Sequence, residues 1–269
     1  MNTNHDVVIL AGGKGTRLFE LTKDRPKGLV NIGDKPILWH IMSIFAAQGC
    51  TRFVLCVGHM SDQIIDYFSD KKNINSGWEV VFDDAGSDVT KSVRIKSALK
   101  QIKSKNFFLA YGDDLANVDL DAIIACAQQT NSLVTITAVR PSSQFGVLQI
   151  NSEKMITSIE EKPISDVWIN GGFMFVSKNI SKYLDCGEFE EQVLSEVAKL
   201  NHLSAYKHYG FWLAMNNYKQ FLELENMYTE HKVTKTILII KKFLITKQRS
   251  IRPDSLNKKG FTPTRMCTN

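Results

Sequence analysis

Short β-branched runs alternate with amphipathic stretches over the first half of this 269-residue chain, and no other feature narrows its fold as far. The hydrophobic spacing predicts strands at Val7–Ala11, Arg52–Gly58, Trp78–Phe82 and Phe107–Tyr111. Between them it predicts helices at Pro36–Gln48, with Ile37, Ile41, Ile44 and Phe45 on one face, at Ser61–Ser69 behind a Ser cap, and at Lys91–Ile102. A strand and helix recurring every roughly 20 to 30 residues specify an α/β fold, a mostly parallel sheet covered by helices. From Ser132 strands dominate, at Leu133–Val139, Val147–Ile150, Met155–Ile159 and Phe173–Val176, before helical patterns return at Glu188–Leu200 and Asn216–Tyr228. At 43% apolar residues the chain can bury a core of this kind, and neither a repeat nor a hinge-like linker divides it. One domain over residues 1–229, with a β-rich second half folded against the first, is the expected organisation.

The net charge of +5 points toward nucleic acid only until it is located. From Glu230 to Asn269 ten Lys and Arg face two acids, a surplus of +8 that leaves −3 for residues 1–229. The body is slightly acidic, so no nucleic-acid partner is expected. The basic surplus belongs to an extension over 230–269, read as partly disordered, in which Val233–Thr246 fits a basic amphipathic helix or an edge strand. Its apolar stretch is broken by Lys241 and Lys242, too short to span a bilayer, and no stable membrane anchoring is expected. Cysteines at 50, 56, 126, 186 and 267 form no CxxC pair, which argues against a disulfide framework or a thiolate zinc site. With no signal-peptide pattern at the polar N-terminus, a cytoplasmic setting is expected.

The densest chemical signal directly follows the first strand: Leu10-Ala-Gly-Gly-Lys-Gly-Thr-Arg-Leu18. Three glycines in four positions let the backbone approach a ligand and turn N–H groups toward an anion. Lys14 and Arg17 add cationic reach for phosphate oxygens. The glycine spacing fits neither a Walker A loop nor a dinucleotide fingerprint. A Gly-rich turn with solvated charges is the alternative. A second basic element, Arg25-Pro-Lys-Gly-Leu29, uses Pro26 to present Lys27 in a defined direction.

Together with Pro36-Ile-Leu-Trp-His-Ile-Met42, Tyr111-Gly-Asp113, Phe145-Gly-Val-Leu-Gln-Ile150, Glu161-Lys-Pro163, Ile169-Asn-Gly-Gly-Phe173 and Gly210-Phe-Trp212, these motifs resemble the sugar-1-phosphate nucleotidyltransferases. Within them the glucose-1-phosphate cytidylyltransferase branch is the most similar. The resemblance runs from about Val7 to Tyr228. It implies a Rossmann-like sheet with helices on both faces and a β-rich, sugar-binding second half. It implies attack of a sugar-1-phosphate oxygen on the α-phosphate of a nucleoside triphosphate, CTP favoured, with release of pyrophosphate. The partners would be the triphosphate and a phosphorylated small molecule, the cofactor Mg²⁺, the product an NDP-sugar for surface polysaccharide, and the assembly a homo-oligomer.

The resemblance also distributes roles. Catalytic residues would be Arg17, Lys27 and Asp113. The nucleotide would be held by Leu10, Ala11, Gly12, Gly13, Gly15, Thr16, Arg17, Lys27, Thr90, Arg94 and Gly112. The sugar phosphate would meet Gly146, Glu161, Lys162, Asn170, Gly171, Gly172 and Trp212, and the metal Asp113 and Asn216. Three departures stand out. Asn216 replaces the branch's second metal-binding aspartate, although an Asn there is equally suited to cap the following helix. Thr90-Lys-Ser-Val-Arg94 replaces a Thr-Gly-Gly-Arg pattern at the pyrimidine pocket, which opens GTP, UTP or dTTP, or a non-glucose acceptor, as alternatives to CTP and glucose 1-phosphate. Gly28 replaces a proline and is expected to loosen the Lys27 loop. With Asn216 and the altered pocket, a weakened, non-catalytic homologue that binds nucleotide or sugar phosphate is the alternative from another class.

Overall fold

The computed structural model describes residues 5–230; the extension expected over 230–269 lies, except for Glu230, outside the described residues. The central strand Val7–Leu10 pairs in parallel with Arg52–Val57 on one side and Asn106–Tyr111 on the other. Glu79–Asp84 adds a fourth parallel strand beside Arg52–Val57. Beyond Asn106–Tyr111 the sheet reverses. Met174–Ser177 runs antiparallel to it and to Val134–Val139, and Leu203–Lys207 closes that edge parallel to Val134–Val139. This is the mostly parallel, Rossmann-like sheet expected of such strand spacing.

Alternate residues of each strand feed two separate cores, as the two-residue period of a strand requires. Val7, Ile9, Phe53, Leu55 and Phe108 face helices Ile37–Ala46, Ser61–Ser69 and Leu120–Thr130. Val8, Val54, Phe107 and Leu109 face Lys91–Ala98 and the segment around Phe189–Val197. Helices therefore cover both faces.

Local chemistry moves several boundaries. Ser61 is no cap: Met60 occupies that position in the left-handed region, at φ 52°, without a side-chain hydrogen bond. Thr90 caps Lys91–Ala98, its hydroxyl accepting from the Val93 amide at 3.2 Å. The helix expected over Glu188–Leu200 opens with a π turn, Phe189–Val193, before the α-helix Leu194–Lys199. Asn217, not Asn216, caps the helix Tyr218–Thr229, accepting from the Gln220 amide at 2.9 Å.

The second half corrects the expected packing most. Among the described residues Val147–Ile150 and Ile156–Glu160 pair only with each other, and every residue of both is exposed. They form a hairpin that stands off the body rather than a layer folded against it. Alternating apolar and polar residues look alike in a half-buried strand and in such an arm.

Candidate active site

The parallel strands end where Val7–Leu10 and Asn106–Tyr111 lie side by side, and loops from both enclose a cavity of about 870 Å³. Open α/β sheets bind ligands at this end. The Gly loop forms one wall. Ala11 donates to the Cys56 carbonyl at 2.9 Å, and Gly15, at φ 64°, turns the chain into the short helix Thr16–Leu18. Arg17 is exposed, lines the cavity and has no ion pair among the described residues. Lys14 instead bridges the mouth to Asp88 at 2.7 Å, with both side chains largely in solvent.

Lys27 sits at the start of a 3₁₀ turn behind Pro26 and donates from Nζ to Asp113 Oδ2 on the cavity floor. Both side chains are less than a quarter exposed. Gly28 does not loosen this loop. It is buried so closely on Leu38 that a Cβ would come within 2.4 Å of Leu38 Cδ1, and Val30 donates back to the Lys27 carbonyl at 3.1 Å.

Arg94 enters the wall from behind. Only 5% exposed, it donates to Val57 O at 2.6 Å, Ser87 O at 2.8 Å and Gly12 O at 3.4 Å. A guanidinium carries five donors in a planar fork, so one side chain joins the Gly loop, a strand end and the segment before its own helix. These bonds use three of the five guanidinium donors, and the Thr90 hydroxyl accepts in its helix cap, while both residues, expected at a pyrimidine edge, line the cavity.

The opposite wall carries Asn170 and Trp212. Trp212 Nε1 donates to Gly171 O at 3.0 Å, which sets Gly171 and Gly172 just behind the cavity surface. Four residues to which the motifs assign no role complete this side. Tyr111 donates its hydroxyl to Glu190 at 2.7 Å and accepts from Asn170 Nδ2 at 3.0 Å; Lys91 holds Glu190 at 2.6 Å and lies 5.0 Å over the Tyr111 ring. Burial, then the Glu190 charge, pushes the Tyr111 phenol up, so it stays a neutral donor. Asp114 also lines the cavity, and burial followed by the charge of Asp113 raises its carboxyl. The network comes from a strand end, a helix start and a π turn, and no motif links such distant segments.

Gly146, Glu161 and Lys162 do not line the cavity. They sit at the base of the projecting hairpin. Gly146 faces Glu161 Oε2, while among the described residues Lys162 pairs only with Glu161, at 3.5 Å, and both charged side chains are more than half exposed. All the other residues expected at the site line the cavity, with Gly171 and Gly172 immediately behind it.

Among the described residues no group of three His, Cys, Asp or Glu is arranged to hold a metal. The donors present nonetheless fit Mg²⁺, which takes one or two protein oxygens and fills its octahedron with phosphates and water. Asp113 keeps Oδ1 outside its pair with Lys27, and its carbonyl accepts from Met215 at 2.9 Å, which places the neighbouring Asn216 at the same end of the floor. Asn216 donates its backbone amide to Gln220 Oε1 at 2.9 Å, and among the described residues its side-chain oxygen makes no hydrogen bond. No helix among the described residues is long and apolar enough to cross a membrane.

Comparison with known proteins gives the following. A family model described as Nucleotidyl transferase matches residues 6–236. A probable glucose-1-phosphate cytidylyltransferase of Bacillus subtilis is 38% identical over 83% of this chain and 96% of its own length. The glucose-1-phosphate cytidylyltransferase of Salmonella typhimurium is 33% identical over 84% and 96%. Among solved structures, HddC from Yersinia pseudotuberculosis superposes with a TM-score of 0.67 at 28% identity, over 83% of this chain and 99% of that one, and has also been solved complexed with GMP-PN.

Proposed function

This chain belongs to the nucleotidyl transferase family, and from that premise we propose that it joins the nucleoside monophosphate of CTP to glucose 1-phosphate or a closely similar acceptor. The chain is a sugar-1-phosphate nucleotidyltransferase of nucleotide-sugar biosynthesis. CTP and glucose 1-phosphate are favoured by the names of the Bacillus and Salmonella relatives.

In the proposed reaction an acceptor phosphate oxygen forms a bond to the α-phosphorus of CTP while the bond to the β-phosphate oxygen breaks and pyrophosphate leaves. Such a transfer needs alignment of two polyanions and neutralisation of their charge more than covalent help. The observation that carries the assignment is the pairing of Lys27 with Asp113 on the floor of a cavity whose Gly-rich wall presents Arg17. Backbone amides of the Gly loop and the Arg17 guanidinium take the triphosphate oxygens, and Lys27 supplies a fixed charge at the reacting phosphates. Arg94 positions the Gly loop from behind, and Asn170 and Trp212 wall the acceptor side. Mg²⁺, held by Asp113 and Asn216, would neutralise phosphate charge when bound. Lys162, at the base of the hairpin beside Glu161, is the proposed sugar-phosphate ligand.

The proposed body is one nucleotidyltransferase domain over 1–229 with a basic extension over 230–269, in the cytoplasm, making a precursor of surface polysaccharide. Homo-oligomerisation is proposed from the projecting hairpin, where Phe145, Ile150, Met155 and Ile159 are each more than 60% exposed. A sedimentation mass that is multimeric for wild type and monomeric for a F145S/I159S variant is expected; a monomeric wild type removes this element. The function is tested by pyrophosphate release from a panel of triphosphates and sugar 1-phosphates.

A further inference from the structure

Asp113 and Asp114 are consecutive carboxylates with different surroundings. Asp113 is committed to Lys27. Asp114 opens the short strand Asp114–Ala116, which pairs with Trp212–Ala214, and is 5% exposed. Its Oδ2 lies against Gly172, where a Cβ would come within 2.8 Å of it, so the missing side chain leaves the carboxyl room. The other polar side chains of this wall are engaged. Asn170 donates to the Tyr111 hydroxyl and accepts from the Gly172 amide at 3.0 Å; Tyr111 donates to Glu190; Trp212 donates to Gly171 O. The backbone of Asp114 is paired in its strand, but its carboxyl, which reaches the cavity, makes no hydrogen bond among the described residues. A buried polar group without a partner is costly to keep and is commonly satisfied by what enters the site.

We propose that Asp114 determines acceptor specificity, its carboxyl oxygen accepting a hydrogen bond from a ring hydroxyl of the sugar phosphate. This deepens the nucleotidyl-transfer reading and rests on it for the identity of the ligand. The neighbouring Asn170 and Gly172 belong to the loop expected to receive the sugar, and Asp114 supplies the acceptor capacity their own bonds use up. A site built to pair one hydroxyl rejects the analogue lacking it, because the buried oxygen is then left alone.

The test compares wild type with D114A and D114N, using CTP, glucose 1-phosphate and its monodeoxy analogues. In D114A the KM for glucose 1-phosphate should rise roughly ten- to a hundred-fold, as for a sugar hydroxyl left without its buried partner, with the KM for CTP within about threefold. D114N, which keeps an oxygen there, should recover most of that loss. Wild type should discriminate against one deoxy analogue, and D114A should not. Equal effects on both substrates, an unchanged deoxy penalty in D114A, or a shifted Mg²⁺ requirement at unchanged acceptor KM would overturn the proposal. Calorimetric titration with glucose 1-phosphate separates this from failure of the transfer reading. If wild type releases no pyrophosphate, a binding constant weakened at least tenfold in D114A and restored in D114N still supports the assignment, and equal or undetectable binding in all three overturns it.

Discussion

Lys27 donates to the Asp113 carboxylate across 86 residues of sequence, joining the loop after Pro26 to the end of strand Asn106–Tyr111. One contact thus fixes the point charge and the carboxylate proposed to face the phosphates. K27M removes the cation and leaves Asp113 unpaired. Turnover should fall about 10²–10³-fold, the usual cost of one charge-stabilising donor. Steady-state kinetics on folded protein check this, and a loss below threefold would remove Lys27 from the reacting centre.

Arg94 is expected to matter for stability and for nucleotide affinity together. R94M leaves the carbonyls of Val57, Ser87 and Gly12 without their shared donor. Unfolding free energy should drop by about 2–4 kcal/mol, and the KM for CTP should rise. R94K, with one ammonium in place of a fork, should fall between the two. A denaturation midpoint unchanged in R94M would contradict the bracing role.

Asn216 offers one neutral oxygen where an aspartate would add a full charge. N216D should therefore lower the Mg²⁺ concentration giving half-maximal activity. An unchanged Mg²⁺ dependence would show that the position is not a ligand.

His40 supplies a pH-dependent test of the core. It is 2% exposed and bonded at Nε2 to Ile32 O at 2.9 Å. Burial depresses its pKa below 6.5. The unfolded chain therefore takes up the proton first, and the stability His40 contributes is complete above about pH 6.5 and lost as pH falls through the folded value. H40Q should lose less stability than wild type between about pH 7.5 and 5.5 by chemical denaturation. A steeper loss in H40Q would contradict this.

The parallel half of the sheet and the Gly loop were legible because strand and helix periods are local and the motif is contiguous. The role of Arg94 was not, since nothing in Thr90-Lys-Ser-Val-Arg94 says that the guanidinium turns inward to three carbonyls. The Tyr111–Glu190–Lys91 network was illegible for another reason: its parts lie up to 99 residues apart, and a π turn presents Glu190. Gly28 misled because glycine marks both loose turns and close packing, and only the contact with Leu38 decides between them. The hairpin bearing Val147–Ile150 has strand periodicity, yet among the described residues no element buries either face.

Pyrophosphate release with Mg²⁺, each of CTP, GTP, UTP and dTTP, and a panel of sugar 1-phosphates tests the proposed activity most directly. Release should be fastest with CTP and glucose 1-phosphate and should fall about 10²–10³-fold in an Arg17→Ala variant. Faster release with another triphosphate would overturn the choice of base. No release from any pair, in folded protein that still binds nucleotide, would contradict catalysis by this site.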